Sequence, residues 1–209
     1  MRTIETALFK FDELSDSAKE KAREWFRAGA LDFDWWDAVY DDAANIADKI
    51  GIDLRQRQAK LMGGGTRNEP SIFFSGFSSQ GDGACFEGEY RYRKGSAKNV
   101  KSYAPQDAEL HRIASELADI QRRHLYGITA TVKHVGRYSH ENSTEIDVDF
   151  GAMEYNAETA DAVAELLRDF MRWIYRQLER EYEWRMSDEC VDDDIENNEY
   201  EFTEDGSYA

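Results

Sequence analysis

Residues 127–152, GITATVKHVGRYSHENSTEIDVDFGA, decide the fold class. Two segments flank the polar connection 136–143, and both alternate strictly. Ile128, Ala130 and Val132 share one face of the first, and Ile146, Val148 and Phe150 share one face of the second. Successive side chains of a strand point to opposite faces, so a period of two on both sides of a short connection specifies an antiparallel hairpin with one buried face.

Downstream, the period changes to that of a helix. Asn156 is placed to cap a long helix whose stripe is Val163, Leu166, Leu167, Phe170, Ile174 and Leu178, running on to Trp184. Ser187 then caps a short acidic helix with Val191 and Ile195 as its apolar pair. Tyr200 and Phe202 alternate with Glu199, Glu201 and Thr203 as a closing strand would. Upstream, Leu110, Ile113, Ala114, Leu117 and Ile120 mark a helix opened by Pro105. SIFFSGF and ACFEGEYRYRK flank SSQGDG as another hairpin, with Phe86, Tyr90 and Tyr92 on one face and Glu87, Glu89 and Arg91 on the other. The segment 52–62 reads as one extended strand, followed by a flexible loop from Gly63 to Pro70.

Nearer the start, Trp36, Val39, Ala43, Ile46, Ala47 and Ile50 form a helix stripe that stops at Gly51. Leu14, Ala18, Ala22, Trp25 and Phe26 form another, with Ser17 and Glu20 fitting a capping box and Ser15 a rival cap. The opening TIETALFKF reads as a short strand. This order of elements predicts an α+β single domain of five to seven mainly antiparallel strands, with four or five helices packed chiefly on one face. Its core is expected over residues 1–186, with 187–209 an acidic C-terminal helix and strand extension of the same domain.

Charge narrows the function classes. Against 26 Lys and Arg stand 43 Asp and Glu, a formal −17 over 209 residues. Nucleic acid and anionic membrane carry the same sign, so direct attraction to either is disfavoured. Two cysteines make no disulfide framework, and neither a signal peptide nor a membrane-spanning run is legible, which predicts a cytoplasmic protein. Residues 186–209 contain ten acids and no Lys or Arg, so more than half of the excess lies there. One reading of this tail is a solvated helix face, or an acid tail docked on the chain's own cations. The other is a surface for a cationic partner, formed by Asp188, Glu189, Asp192, Asp193, Asp194, Glu196, Glu199 and Glu201. A helix rises about 1.5 Å per residue and duplex DNA presents one charge per ~1.7 Å, so a densely acidic helix approximates a row of phosphates. Trp35, adjacent to Trp36, cannot share its stripe and is a candidate for a second layer or the same partner surface. In the opposite sense, Arg91, Arg93, Lys94, Lys98 and Lys101 form a basic run among Tyr90, Tyr92 and Tyr103, a pattern that grips single strands when the rings are free.

The stretch SGFSSQGDGACFEG is the most distinctive in the chain. Ser78, Gln80, Gly81, Asp82 and Gly83 form its tip. They read as a glycine-punctuated turn whose polar side chains satisfy turn amides. Two alternatives are a phosphate cradle, without the lysine of a P-loop, and a nucleophilic Cys85 with His140 or Asp82. A cysteine on a strand among aromatics is ordinarily a small buried hydrophobe. His111, His124, His134 and His140 lack metal-ligand spacing, and Asp192 to Asp194 lack the alternation of a calcium loop. Neither a metal, another cofactor nor a catalytic set is expected.

Taken together, FDELSDSAKEKAREWFR, DFDWWD, SGFSSQGDGACFEG and NEYEFTEDG resemble a family of small acidic bacteriophage and prophage proteins, some of them antitoxin-like. The resemblance implies a viral setting in the host bacterial cytoplasm. It also implies a non-enzymatic protein that blocks a host nucleic-acid-handling defence system in the manner of anti-CRISPR or anti-restriction inhibitors, with a basic host protein as partner. The alternative it carries is an antitoxin that masks a toxin protein.

Overall fold

The computed structural model describes residues 7–61 and 63–209. The first four residues of the expected opening strand, and Met62 in the expected strand 52–62, lie outside them. In chain order the elements are β1 (Phe9–Lys10), α1 (Asp16–Arg27), α2 (Asp37–Ile50), β2 (Ile52–Leu54), β3 (Gln56–Lys60), β4 (Thr66–Pro70), β5 (Ile72–Phe74) and β6 (Ala84–Phe86). There follow β7 (Gly88–Arg91), α3 (Ser96–Tyr103), α4 (Ala108–Arg123), β8 (Thr129–His134), β9 (Thr144–Asp149), α5 (Ala157–Arg185), α6 (Asp188–Asn197) and β10 (Glu201–Phe202). All strand pairs among the described residues are antiparallel, and the fold is α+β.

Two compact units divide the chain. The smaller joins the residues up to Asp37 with Glu179–Ala209, and the larger is Ala38–Leu178. In the larger unit the sheet order is β2-β7-β8-β9. The expected central hairpin has the expected register, with Ala130 opposite Val148 and Val132 opposite Ile146. Inward side chains of that sheet and of β5–β6 meet α4 and the first part of α5. Phe86 packs edge-on against Phe170 at 5.9 Å, and Ile113, Leu117, Leu167 and Ile174 are buried beside them in the core. Asn156 caps α5 by accepting from Thr159 N at 2.8 Å, and Asp107 caps α4, so Pro105 lies ahead of the helix and not in its first turn.

Several local expectations change. Segment 52–61 is two strands with different partners: β2 joins the main sheet, while β3 turns back through Gly64 and Gly65 to pair with β4. The expected loop from Gly63 to Pro70 therefore contains a strand. The basic run folds into β7, a turn at Gly95 and α3, with Val100 as its buried anchor. Strands are more numerous than expected because the β-structure is cut into short pieces, and the helices exceed the expected number through α3.

In the smaller unit, α1 and α6 pack together over Phe11, Leu14, Ala18, Ala22, Val191, Ile195 and Phe202. Ser15, not Ser17, is the α1 cap, accepting from Ala18 N at 3.4 Å. Val191 and Ile195, four residues apart, form the buried stripe of α6, and Ser187 caps it. The strand pair β1–β10 closes this core from one side. The C-terminal turn reaches α1 at Gly206, which has φ +80°; a Cβ there would lie 2.1 Å from the carbonyl oxygen of Ala18. Only glycine fits.

Candidate interaction face

Charge separates the two units. The larger has 18 Lys and Arg against 21 Asp and Glu, a formal −3, and the smaller has 8 against 22, a formal −14. The candidate face is therefore built on the smaller unit, and α6 is its centre.

Helical angle sorts the acids of α6. Asp188 and Asp192, one turn apart, flank the buried stripe and face α1, where Arg23 and Arg27 are likewise one turn apart. Arg23 donates from Nε and Nη2 to the two carboxylate oxygens of Asp192, both at 2.6 Å. Arg27 pairs with Asp188 and also donates to the Met186 carbonyl at 3.1 Å. Hydrogen bonding to Asp192 and Glu20 outweighs burial and holds the Arg23 guanidinium well above its ordinary range. Asp188 and Asp192 are thus engaged at the α1–α6 seam, Asp192 half-buried and Asp188 still exposed. Asp205, further along, is held by Lys21 at 2.7 Å.

The remaining acids are of a different kind. Glu189, Asp193, Glu196, Glu199, Glu201 and Glu204 are exposed and make no ion pair among the described residues. Glu189, Asp193 and Glu196 fall at i, i+4 and i+7 on one outer face of α6. Like charges at this spacing cost a helix about 0.2–0.5 kcal/mol per pair; Glu189, in the first turn, is favoured by the helix dipole, whereas Asp193 and Glu196 lie beyond its reach. With Asp188 and Asp192 withdrawn, its charges are spaced by about 5 Å along the axis, sparser than a duplex. Glu199, exposed just past the end of α6, adopts a left-handed conformation, φ 55°.

Asp194 stands apart from both sets. Half-buried, it lines a groove of ≈ 660 Å³ together with Trp25, Phe26, Phe33, Arg185, Asn198 and Tyr200. Arg185 lies over the Phe33 ring at 5.1 Å and donates from Nε to Glu181 at 2.7 Å. Of the two rings in the α1 stripe, Phe26 packs against the core, while Trp25 stacks on exposed Tyr208, with centroids 4.2 Å apart, and is itself partly exposed. The sequence pattern does not reveal the groove, because Trp25 and Phe26 both fit the apolar stripe of α1.

Trp35 is no partner surface. It is 6% exposed, with Trp36 edge-on at 5.7 Å and Tyr182 at 6.2 Å. Both tryptophans precede the first helical residue of α2, so helical periodicity does not govern which one turns inward.

The tip of the β5–β6 hairpin is a self-satisfied turn. Asp82 accepts from Ser79 N at 2.7 Å and Ser78 N at 3.0 Å, and these bonds depress its pKa. Gly81 adopts φ 99°, and Gly83 is pressed against His140, whose Cδ2 would lie 2.9 Å from an added Cβ. Ser78 and Gln80 remain exposed. Cys85 is fully buried, and desolvation, reinforced by Glu87, pushes its thiol up to about 12, so it stays protonated and non-nucleophilic at neutral pH. In the basic run, Tyr90 is buried, Tyr92 packs on Tyr126, and Tyr103, which is exposed, carries Lys49 over its ring at 4.3 Å and donates to Asp42 at 2.7 Å. Among the described residues no three His, Cys, Asp or Glu side chains are grouped to hold a metal, and no helix is long and apolar enough to cross a membrane.

A family model matches residues 35–188, described as a domain of unknown function, DUF8835. The chain belongs to this family. The match covers all of the larger unit and ends at Asp188, the first residue of α6. No curated protein and no solved structure matches the chain.

Proposed function

We propose that this DUF8835 member is a non-enzymatic, phage-type interaction protein that inhibits a host nucleic-acid-handling defence protein by occupying its basic surface. The observation that carries the reading is the division of the α6 acids: Arg23 and Arg27 take Asp188 and Asp192, while Glu189, Asp193 and Glu196 stand exposed in a row without cations of their own. Unmatched carboxylates in a unit of −14 attract a cationic surface, speed encounter and make binding weaken with salt. The partner's lysines and arginines would be those that otherwise hold phosphates; the wider spacing of the row makes it an acidic patch for such cations rather than a copy of a duplex.

The test is capture of the partner from the bacterial host, followed by comparison of the wild type with Glu189→Gln, Asp193→Asn and Glu196→Gln combined. Binding about tenfold weaker at low salt, with the difference shrinking at high salt, is expected. Equal affinity of the two proteins at low salt removes the reading.

A further inference from the structure

We infer that the groove lined by Trp25, Phe26, Phe33, Asp194, Asn198 and Tyr200 is a receptor for an arginine side chain carried on a basic, partly apolar segment of a partner protein. The inference rests on the proposed function in taking a cationic partner, and it adds the place and chemistry of the anchor.

Three observations converge on it. First, the groove combines aromatic walls with one carboxylate. Guanidinium is the group that satisfies both at once, because its plane stacks on rings while its N–H fork bonds carboxylate oxygens. Second, the groove already displays this chemistry with a cation of its own. Arg185 lies over Phe33 at 5.1 Å and bonds Glu181 at 2.7 Å, so that guanidinium is both stacked and neutralised. Third, the same combination recurs without a resident cation. Among the described residues no Lys or Arg lies over Trp25, Phe26 or Tyr200, and Asp194 makes no ion pair, although Arg23 and Arg27 on neighbouring α1 reach its helix-mates Asp188 and Asp192.

The surroundings favour the same occupant. A volume of ≈ 660 Å³ exceeds what one side chain fills and accommodates the neighbours of an inserted arginine. Glu196 and Glu199 follow Asp194 closely in the chain and are exposed, so flanking cations meet further carboxylates of opposite charge near the anchor. An acidic segment would face this excess with only Arg185, already neutralised by Glu181, to receive it.

The experiment uses the full chain and two synthetic pentapeptides, one alternating arginine with leucine and the other glutamate with leucine. Binding is followed by resonance shifts of the tryptophan indoles and of the Asn198 amide. The arginine peptide is expected to saturate these shifts and the glutamate peptide to leave them in place. Asp194→Asn should weaken the arginine peptide about tenfold, the loss of one charged hydrogen-bonded contact, whereas Asp161→Asn, with the same change in net charge at an exposed position of α5 in the larger unit, should alter it less than about twofold. Thermal unfolding of both variants confirms that the fold is kept. Equal weakening by the two substitutions, comparable binding of the glutamate peptide, or no saturable binding of the arginine peptide overturns the inference. Failure here is distinguishable from failure of the acidic-row reading. A captured partner that is lost with the triple Glu189, Asp193 and Glu196 variant but kept by Asp194→Asn removes the groove alone; the converse pattern removes the row alone.

Discussion

In the larger unit many acids are knitted into the structure, and exposed carboxylates such as Glu145, Asp147 and Asp161 are nearly balanced by cations, 18 against 21. Asp169 on α5 receives Arg112 of α4 and Arg172 one turn along its own helix, and Glu69 on β4 receives Arg57 of β3 and its strand-mate Arg67. The smaller unit uses the same device at the α1–α6 seam and then adds carboxylates that nothing in the fold employs. The contrast shows that acidity there is of two kinds: a structural part that joins two helices, and a surplus that raises the cost of folding slightly through self-repulsion. A surplus that folding does not require is what an external partner can select.

The comparison breaks most visibly at the core of the smaller unit. Phe202→Ala removes a fully buried ring and should cost about 3–5 kcal/mol in denaturant unfolding. Hydrogen exchange is expected to quicken in α1, α6 and β1 while β7, β8 and β9 keep their protection; equal loss in the main sheet would show that the two units do not open separately. Next in size, Gly206→Ala forces a side chain against the Ala18 carbonyl in a left-handed conformation and should cost at least about 2 kcal/mol, read as a lowered Tm.

The seam itself is tested by Arg23→Gln, expected to destabilise by about 1–2 kcal/mol because it strands the half-buried Asp192. Asp193→Asn, one residue away, should stay within about 0.5 kcal/mol of wild type. A double-mutant cycle with Asp192→Asn isolates the pair. In the opposite direction, Glu199→Gly relieves a left-handed glutamate and should stabilise by about 0.5–1 kcal/mol.

The smallest effect is one of pH. Asp205 is held below its ordinary range by Lys21, Thr203 and Ser207. A carboxyl depressed in the folded state contributes fully above its unfolded pKa, about 3.9, and the contribution is lost as pH falls through the folded value. Asp205→Asn should therefore be slightly less stable than wild type at neutral pH and converge with it in strong acid.

Much of the fold was legible because its helices and its central hairpin bury clean stripes. The caps Asn156 and Ser187, the α6 pair Val191 and Ile195, and the register of β8 with β9 all follow from short-range pattern. The β3–β4 hairpin was not legible: QRQAK and TRNEP present polar residues on both faces, and no apolar period marks them. Helix α3 was hidden for a related reason, since in SAKNVKSY only Val100 supplies a buried apolar anchor. The acidic residues of the candidate face could be named from the sequence, but not divided, because the division is made by guanidiniums that arrive from α1. Arg23 and Asp192 are 169 positions apart. The groove was equally hidden, since its lining is assembled from residues as distant as Trp25 and Tyr200.

The arginine clasp has an evolutionary consequence. On α6, positions 188 and 192 answer to the seam, while 189, 193 and 196, some of them a single residue away, answer to whatever the helix meets. Changes of recognition can accumulate at the second set without unsettling the first. A helix wired in this way gives its bearer room to follow a changing partner while the scaffold beneath stays as it is.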